Sequence, residues 1–262
     1  DRFVAVELAS RSVLWAYQVP DREVGLRRQW MMMVQQQNLD NADEDQANRW
    51  ADQGVVIAEG RVLLTLPGSD EVVCLGLRDG RHHWSAPRRD GLYLGAVADG
   101  NVIVVGRGAV WALRIDDGEP AWRAERIALP AGALPSGRGY LAGDRYYVPL
   151  STGEIAAVSV GDGRLVARAR SPDGVIPGNL VACHDAVLSQ SSRGIWRFET
   201  LTSLERKTAE ALTDHPDDAD WLVRRGEVLA CQGRLEEAVE LLQRALDRQP
   251  SAAARRALAY AL

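Results

Sequence analysis

One string recurs along this chain, and the recurrence constrains the fold more than any other feature. VWALRIDDGEPAW, Val110 to Trp122, reads as a strand, a tight polar turn and a second strand ending on a tryptophan. Val110, Ala112 and Leu113 alternate with polar or outward positions, as in a half-buried strand. Asp116, Asp117 and Gly118 make the turn, because an Asp-Gly pair tolerates the positive φ of a tight hairpin. The string returns as FVAVELASRSVLWAY (Phe3 to Tyr17), VVCLGLRDGRHHW (Val72 to Trp84) and IAAVSVGDGRLVA (Ile155 to Ala167). A fifth, decayed copy is GIWRFETLTS, Gly194 to Ser203. Trp15, Trp84 and Trp122 share one aligned position, which Ala167 takes in the fourth copy. The turn glycine is Gly80, Gly118 or Gly163, and Ser10-Arg11 replaces the Asp-Gly pair in the first copy.

A second signature precedes each later copy: a small turn, then an apolar strand. It reads AEGRVLLTL from Ala58, ADGNVIVVG from Ala98, AGDRYYVPL from Ala142 and CHDAVLSQS from Cys183. A short apolar run stands before each of these, so one unit is roughly four short strands. Units of about 40 residues with four strands are propeller blades.

These residues resemble a known family. The pattern A-x-D-x-x-T-G-x-x-x-W is similar to the tryptophan-docking repeat of PQQ-like (quinoprotein-type) β-propellers. Ala112, Asp117-Gly118 and Trp122 match it best, followed by Gly80 with Trp84. The resemblance implies that each tryptophan staples one blade to the next. An indole buries a large area, and its N–H needs a partner that a backbone carbonyl can supply. It covers Phe3 to Thr200, which makes four blades and the last half of one before them. Such rings usually have seven or eight blades. The first copy opens at its third strand and the chain starts at Asp1, so we expect a piece of a longer protein. The last blade lacks a fourth strand, which family members commonly supply from the far N-terminus, closing the ring.

The stretch from Trp15 to Trp84 is longer than one unit by roughly 30 residues, a length at which a loop is usually functional or disordered. The insert is Asp21 to Asp52, with Trp30, Met31, Met32 and Met33, a glutamine run and an acidic patch. We expect its apolar side chains to fold over the propeller face; an exposed contact patch is the alternative.

Composition changes at Leu201, which sets the expected domains at 1–200 and 201–262. The tail is rich in Ala, Leu, Glu and Arg, and its apolar residues fall at helical spacing. Gly226, Leu229, Gly233, Ala238, Leu242, Ala245 and Pro250 match the tetratricopeptide (TPR) pattern over one period. Gly226 and Ala238 are small where two helices cross, Gly233 turns the chain, and Pro250 ends the second helix. Ser203 to Asp214 reads as the second helix of a preceding half repeat. Ser251 to Leu262 reads as the first helix of a following one. The fold class expected is therefore an all-β propeller followed by an all-α TPR-like segment.

The net charge of −5 has acids and bases interspersed, so no basic stripe points to nucleic acid. No apolar run is long enough to span a membrane. Cys74, Cys183 and Cys231 are isolated, with no Cys-x-x-Cys. His82-His83 lies on a strand, where neighbours face opposite ways and cannot share a metal. His184-Asp185 reads as a turn, and His215-Pro216 as a helix end. Asp116-Asp117 belongs to a hairpin and Asp217-Asp218 to a helix N-terminus, where acids are favoured. No nucleophile elbow or glycine-rich phosphate cradle appears.

The resemblance divides into enzymes and non-enzymes. Quinoprotein alcohol dehydrogenases hold PQQ and calcium with an adjacent-cysteine disulfide, a stacking tryptophan and Glu, Asn and Asp near the metal. A calcium site needs six or more oxygen ligands, and this chain has neither the Cys-Cys pair nor an acidic loop of that spacing. The expectation is a non-catalytic protein–protein interaction scaffold with no cofactor, no metal and no small-molecule substrate. Family usage points to the bacterial periplasm or cell envelope. The alternatives are a fragment of a PQQ- and calcium-dependent oxidoreductase, or of a signalling protein with an upstream catalytic domain.

Overall fold

The computed structural model describes residues 2–18, 54–65, 70–170 and 174–262. The insert expected at 21–52, with its Trp-Met knot, lies outside these. The described residues fall into two compact units, Asp1–Leu180 and Val181–Leu262.

The first unit is a series of antiparallel sheets, each built from consecutive strands. A hairpin, β1 (Arg2–Glu7) and β2 (Ser12–Gln18), leads. Then comes a four-stranded sheet of β3 (Val55–Ala58), β4 (Arg61–Thr65), β5 (Glu71–Gly76) and β6 (His82–Pro87). The next sheet holds β7 (Gly91–Ala98), β8 (Asn101–Gly106), β9 (Ala109–Arg114) and the short β10 (Ile127–Ala128). The fourth holds β11 (Tyr140–Ala142), β12 (Arg145–Pro149), β13 (Glu154–Ser159) and β14 (Leu165–Arg170). Every pairing is between neighbours in sequence, as in propeller blades.

The middle strands are buried on both faces, and this explains their unbroken apolar runs. Val62 and Leu64 of β4 pack with Phe3, Trp15 and Tyr17 of the hairpin, whereas Leu63 packs towards the third sheet. Val102 and Val104 of β8 face the second sheet, while Ile103 and Val105 face the fourth. β9 corrects the half-buried reading. Trp111 and Leu113 fill one interface while Val110 and Ala112 fill the other. Alternation persists, but both faces meet a neighbouring sheet, so the outward positions are apolar too.

The strand after the turn also differs from expectation. It continues past the tryptophan in β2 and β6, where Trp15 and Trp84 sit mid-strand. In the third copy Trp122 lies off the ladder, between an isolated bridge of Leu113 with Pro120 and the two residues of β10.

The division between the units falls within β15 (Asn179–Cys183), which forms a three-stranded sheet with β16 (Ala186–Ser191) and β17 (Gly194–Glu199). Instead of a hairpin turn, β17 runs into α1 (Leu201–Asp214). The Thr200 side chain caps it by accepting from the Ser203 N–H. Three more helices follow: α2 (Ala219–Cys231), α3 (Leu235–Arg248) and α4 (Ala252–Ala261). Asp218 caps α2 by accepting from the N–H groups of Asp220 and Trp221, and Ser251 caps α4. Leu222, Leu229, Ala238, Leu242, Ala245 and Ala254 form their core.

Candidate functional site

The aligned tryptophans each reach the next copy of the repeat. Trp15 Nε1 donates to the Leu77 carbonyl at 2.9 Å, and Trp84 Nε1 to Ile115 at 2.8 Å. Trp122 Nε1 donates to the Val160 carbonyl at 2.7 Å. In every case the acceptor stands three residues before the turn glycine of the following copy. The indole then lies flat on that glycine. A Cβ on Gly80 or Gly118 would stand 2.5 Å from the ring of Trp15 or Trp84. One on Gly163 would collide with Trp122 in the same way.

The turns beneath the rings share one geometry. The N–H of Gly80, Gly118 and Gly163 donates to Gly76, Arg114 and Ser159, respectively. Each glycine has positive φ, from 65° to 75°. The preceding aspartate accepts from a main-chain N–H two residues on: Asp79 from Arg81, Asp117 from Glu119 and Asp162 from Arg164. These carboxylates therefore serve the turns. The Arg114 guanidinium holds the Asp117 carboxyl below the usual aspartate range, and the Ser159 hydroxyl does the same for Asp162. Trp84 and Trp122 are 6% and 4% exposed, so nearly all of each indole is enclosed by protein.

A second contact between blades had no signal in the repeat. The Tyr93 hydroxyl donates to the Gly137 carbonyl and accepts from the Gly139 N–H, both at 3.1 Å. The Arg138 guanidinium lies 5.3 Å from the centre of its ring. Burial lifts the Tyr93 phenol well above its ordinary value and that of Tyr146 to about 12. Both rings stay neutral and structural. Tyr146 packs over Gly95 and Gly139, and a Cβ on either would meet its ring. That contact depends on two strands distant in sequence, so no local pattern could announce it.

The remaining polar candidates are spread out. His82 Nε2 shares a hydrogen bond with Ser85 Oγ at 2.9 Å. Cys74 is buried, and desolvation pushes its thiol up to about 11; Cys183 and Cys231 are exposed. His215 ends α1, and Asp217 pairs with Arg244 and Arg248 of α3. Asp185 accepts from the Ser203 hydroxyl and pairs with Arg197. Among the described residues no three His, Cys, Asp or Glu side chains converge into a metal-holding group.

In the helical unit Gly226 meets Leu242: a Cβ there would stand 2.6 Å from the leucine side chain. Ala238, Leu242 and Ala245 are fully buried, Leu229 is nearly so, and Gly233 turns the chain at φ 78°. Pro250 follows the end of α3. Glu227 of α2 is exposed, and partial desolvation at its root raises its carboxyl against the pull of Arg224 and Arg256. Tyr260 of α4 is 80% exposed.

The family described as outer membrane protein assembly factor BamB matches residues 1–175. The chain belongs to the BamB family. Tetratricopeptide repeats match residues 206–253 and 232–262, so this BamB-family propeller continues into a TPR segment. No curated protein sequence matches the chain. Among solved structures, BamB from Moraxella catarrhalis is 20% identical, over 57% of this chain and 46% of its own, with a TM-score of 0.46. The quinohemoprotein alcohol dehydrogenase ADHIIG from Pseudomonas putida HK5 is 14% identical, over 75% of this chain and 37% of its own, at a TM-score of 0.47. This BamB-family chain thus spans less than half the length of either structure. No helix among the described residues is long and apolar enough to cross a membrane.

Proposed function

We propose that this chain is a non-catalytic protein-binding scaffold of the bacterial cell envelope, serving the assembly of other proteins. The observation that carries the reading is the joining of a BamB-type propeller to a TPR array in one chain. Both architectures spend their signature residues on packing and leave their surfaces to partners. The aligned indoles support this, since each has its N–H satisfied and its ring face closed by a glycine. The BamB name supplies the outer-membrane assembly setting, and fold alone does not fix the activity.

Reconstitution with PQQ and calcium followed by gel filtration separates this reading from the oxidoreductase one. The scaffold reading expects no quinone absorbance to travel with the protein. A retained, stoichiometric quinone band would overturn it. A photo-crosslinker replacing Tyr260 in the full chain supplies the positive arm, with discrete protein adducts expected from intact cells. Adducts to lipid alone, or none, would count against the scaffold.

A further inference from the structure

The third blade departs from its own repeat at the outer rim. In the second and fourth blades the outer strand stays paired along its length, as β6 on β5 and β14 on β13. In the third, the Ala121 N–H donates to the Ala112 carbonyl, and the chain then leaves β9 until Ile127 pairs with Val110. The excursion opens a notch of about 240 Å³ between β6 and the third blade. Trp111, Leu113 and Ala86 form its apolar floor, each at most 6% exposed. Asp117, Glu119 and Glu125 bring three carboxylates to it, against the guanidinium of Arg89 and that of Arg114 bound to Asp117.

Comparison of the copies separates this acidity from the needs of the fold. The residue after the turn glycine is Arg81 in the second copy and Arg164 in the fourth, but Glu119 in the third. Asp117 is already taken by Arg114, and Glu125 lies 3.6 Å from Arg89. Glu119 makes no salt bridge among the described residues. The docking turn works with arginine at this place in two copies, so neither the acid nor the excursion is required for the dock. Departures from a pattern kept elsewhere are where function is expected.

The same interface already holds one guanidinium. Arg126 lies 4.8 Å from the centre of the Trp111 ring and pairs with Asp90. Indole and carboxylate together are a proven combination here for a planar cation. A volume of about 240 Å³ falls below the usual range for a cofactor pocket, but it admits one long side chain. Buried arginines are also frequent anchors at protein interfaces. We propose that this notch receives an arginine side chain of a protein partner. The inference rests on the scaffold reading and names the chemistry of what that scaffold holds.

The test uses the full chain, isotope-labelled, titrated with N-acetyl-arginine amide and, in parallel, with N-acetyl-norleucine amide. The arginine probe is expected to give saturable shifts at the amides of Ser85, Gly118 and Glu119, and the norleucine probe none. Glu119→Gln with Glu125→Gln should weaken the arginine probe at least about tenfold, the scale of a charge-assisted contact. Absence of saturation, equal response to norleucine, or unchanged binding by the double variant would overturn the proposal. Such a failure would leave the Tyr260 crosslinks and the quinone result untouched, so it is distinguishable from failure of the scaffold reading.

Discussion

The third and fourth copies of the repeat differ at one aligned position. Trp122 closes the third copy, 4% exposed and bonded to the next copy's turn. Ala167 stands there in the fourth, and all six residues of β14 are exposed, including Leu165 and Val166. The reason lies one copy further on. Where Gly163 receives the indole of Trp122, the aligned residue of the fifth copy is Ser203. That residue belongs to a helix and donates its hydroxyl to Asp185. A helical first turn with a side chain offers no flat glycine platform. The tryptophan and the glycine beneath it are therefore kept together and lost together. The two compact units divide at Leu180, between the copies that lack the pair.

The largest break in this comparison comes from Trp122→Ala. Removing a buried indole with its hydrogen bond should cost about 3–5 kcal/mol in chemical denaturation. A loss below about 1 kcal/mol would show that the ring does not join the copies. Next is Gly163→Ala. It meets both the left-handed backbone penalty and the indole above it, and should cost about 2–4 kcal/mol.

A smaller effect belongs to the second unit and depends on pH. The Ser203 hydroxyl holds the Asp185 carboxyl below the usual aspartate range, and the Lys207 ammonium holds Glu199 below the usual glutamate range. Carboxyls depressed in the folded state add stability that is complete above their unfolded values and lost as pH falls through the folded ones. Thermal unfolding of Asp185→Asn should therefore lose less than the parent chain between neutral pH and about pH 3. Equal losses would remove Asp185 from the account. The smallest effect is Ala167→Ser, expected to change stability by under about 0.5 kcal/mol because the residue is exposed. A cost near that of Trp122→Ala would mean that the alanine is enclosed like the tryptophan it replaces.

Much of this was legible in the residues, and the exceptions have a common cause. Within a copy the glycine stands close before the tryptophan, Gly80 before Trp84 and Gly118 before Trp122, so the repeat could be read directly. Helices α2 and α3 were equally legible, because Gly226, Ala238 and Leu242 lie within one period. The period did not show which carbonyl takes each indole N–H, since the acceptor belongs to the next copy. It could not show Tyr93 reaching Gly137 and Gly139, a contact between sheets. The change in composition at Leu201 marks where strand gives way to helix. The compact units divide earlier, because Asp185 and Glu199 tie β16 and β17 to α1 through Ser203 and Lys207. The notch at the third rim was hidden as well. Glu119 differs from Arg81 and Arg164 in plain view, but the excursion that makes a pocket beside it is a matter of strand pairing.

The docking claim is tested most directly by a double-mutant cycle on Trp122→Ala and Gly163→Ala. With the indole gone, the new Cβ has nothing to strike, so the account predicts that the double variant loses at least about 1 kcal/mol less than the sum of the singles. Losses that add to within about 0.3–0.5 kcal/mol, as for independent sites, would contradict it.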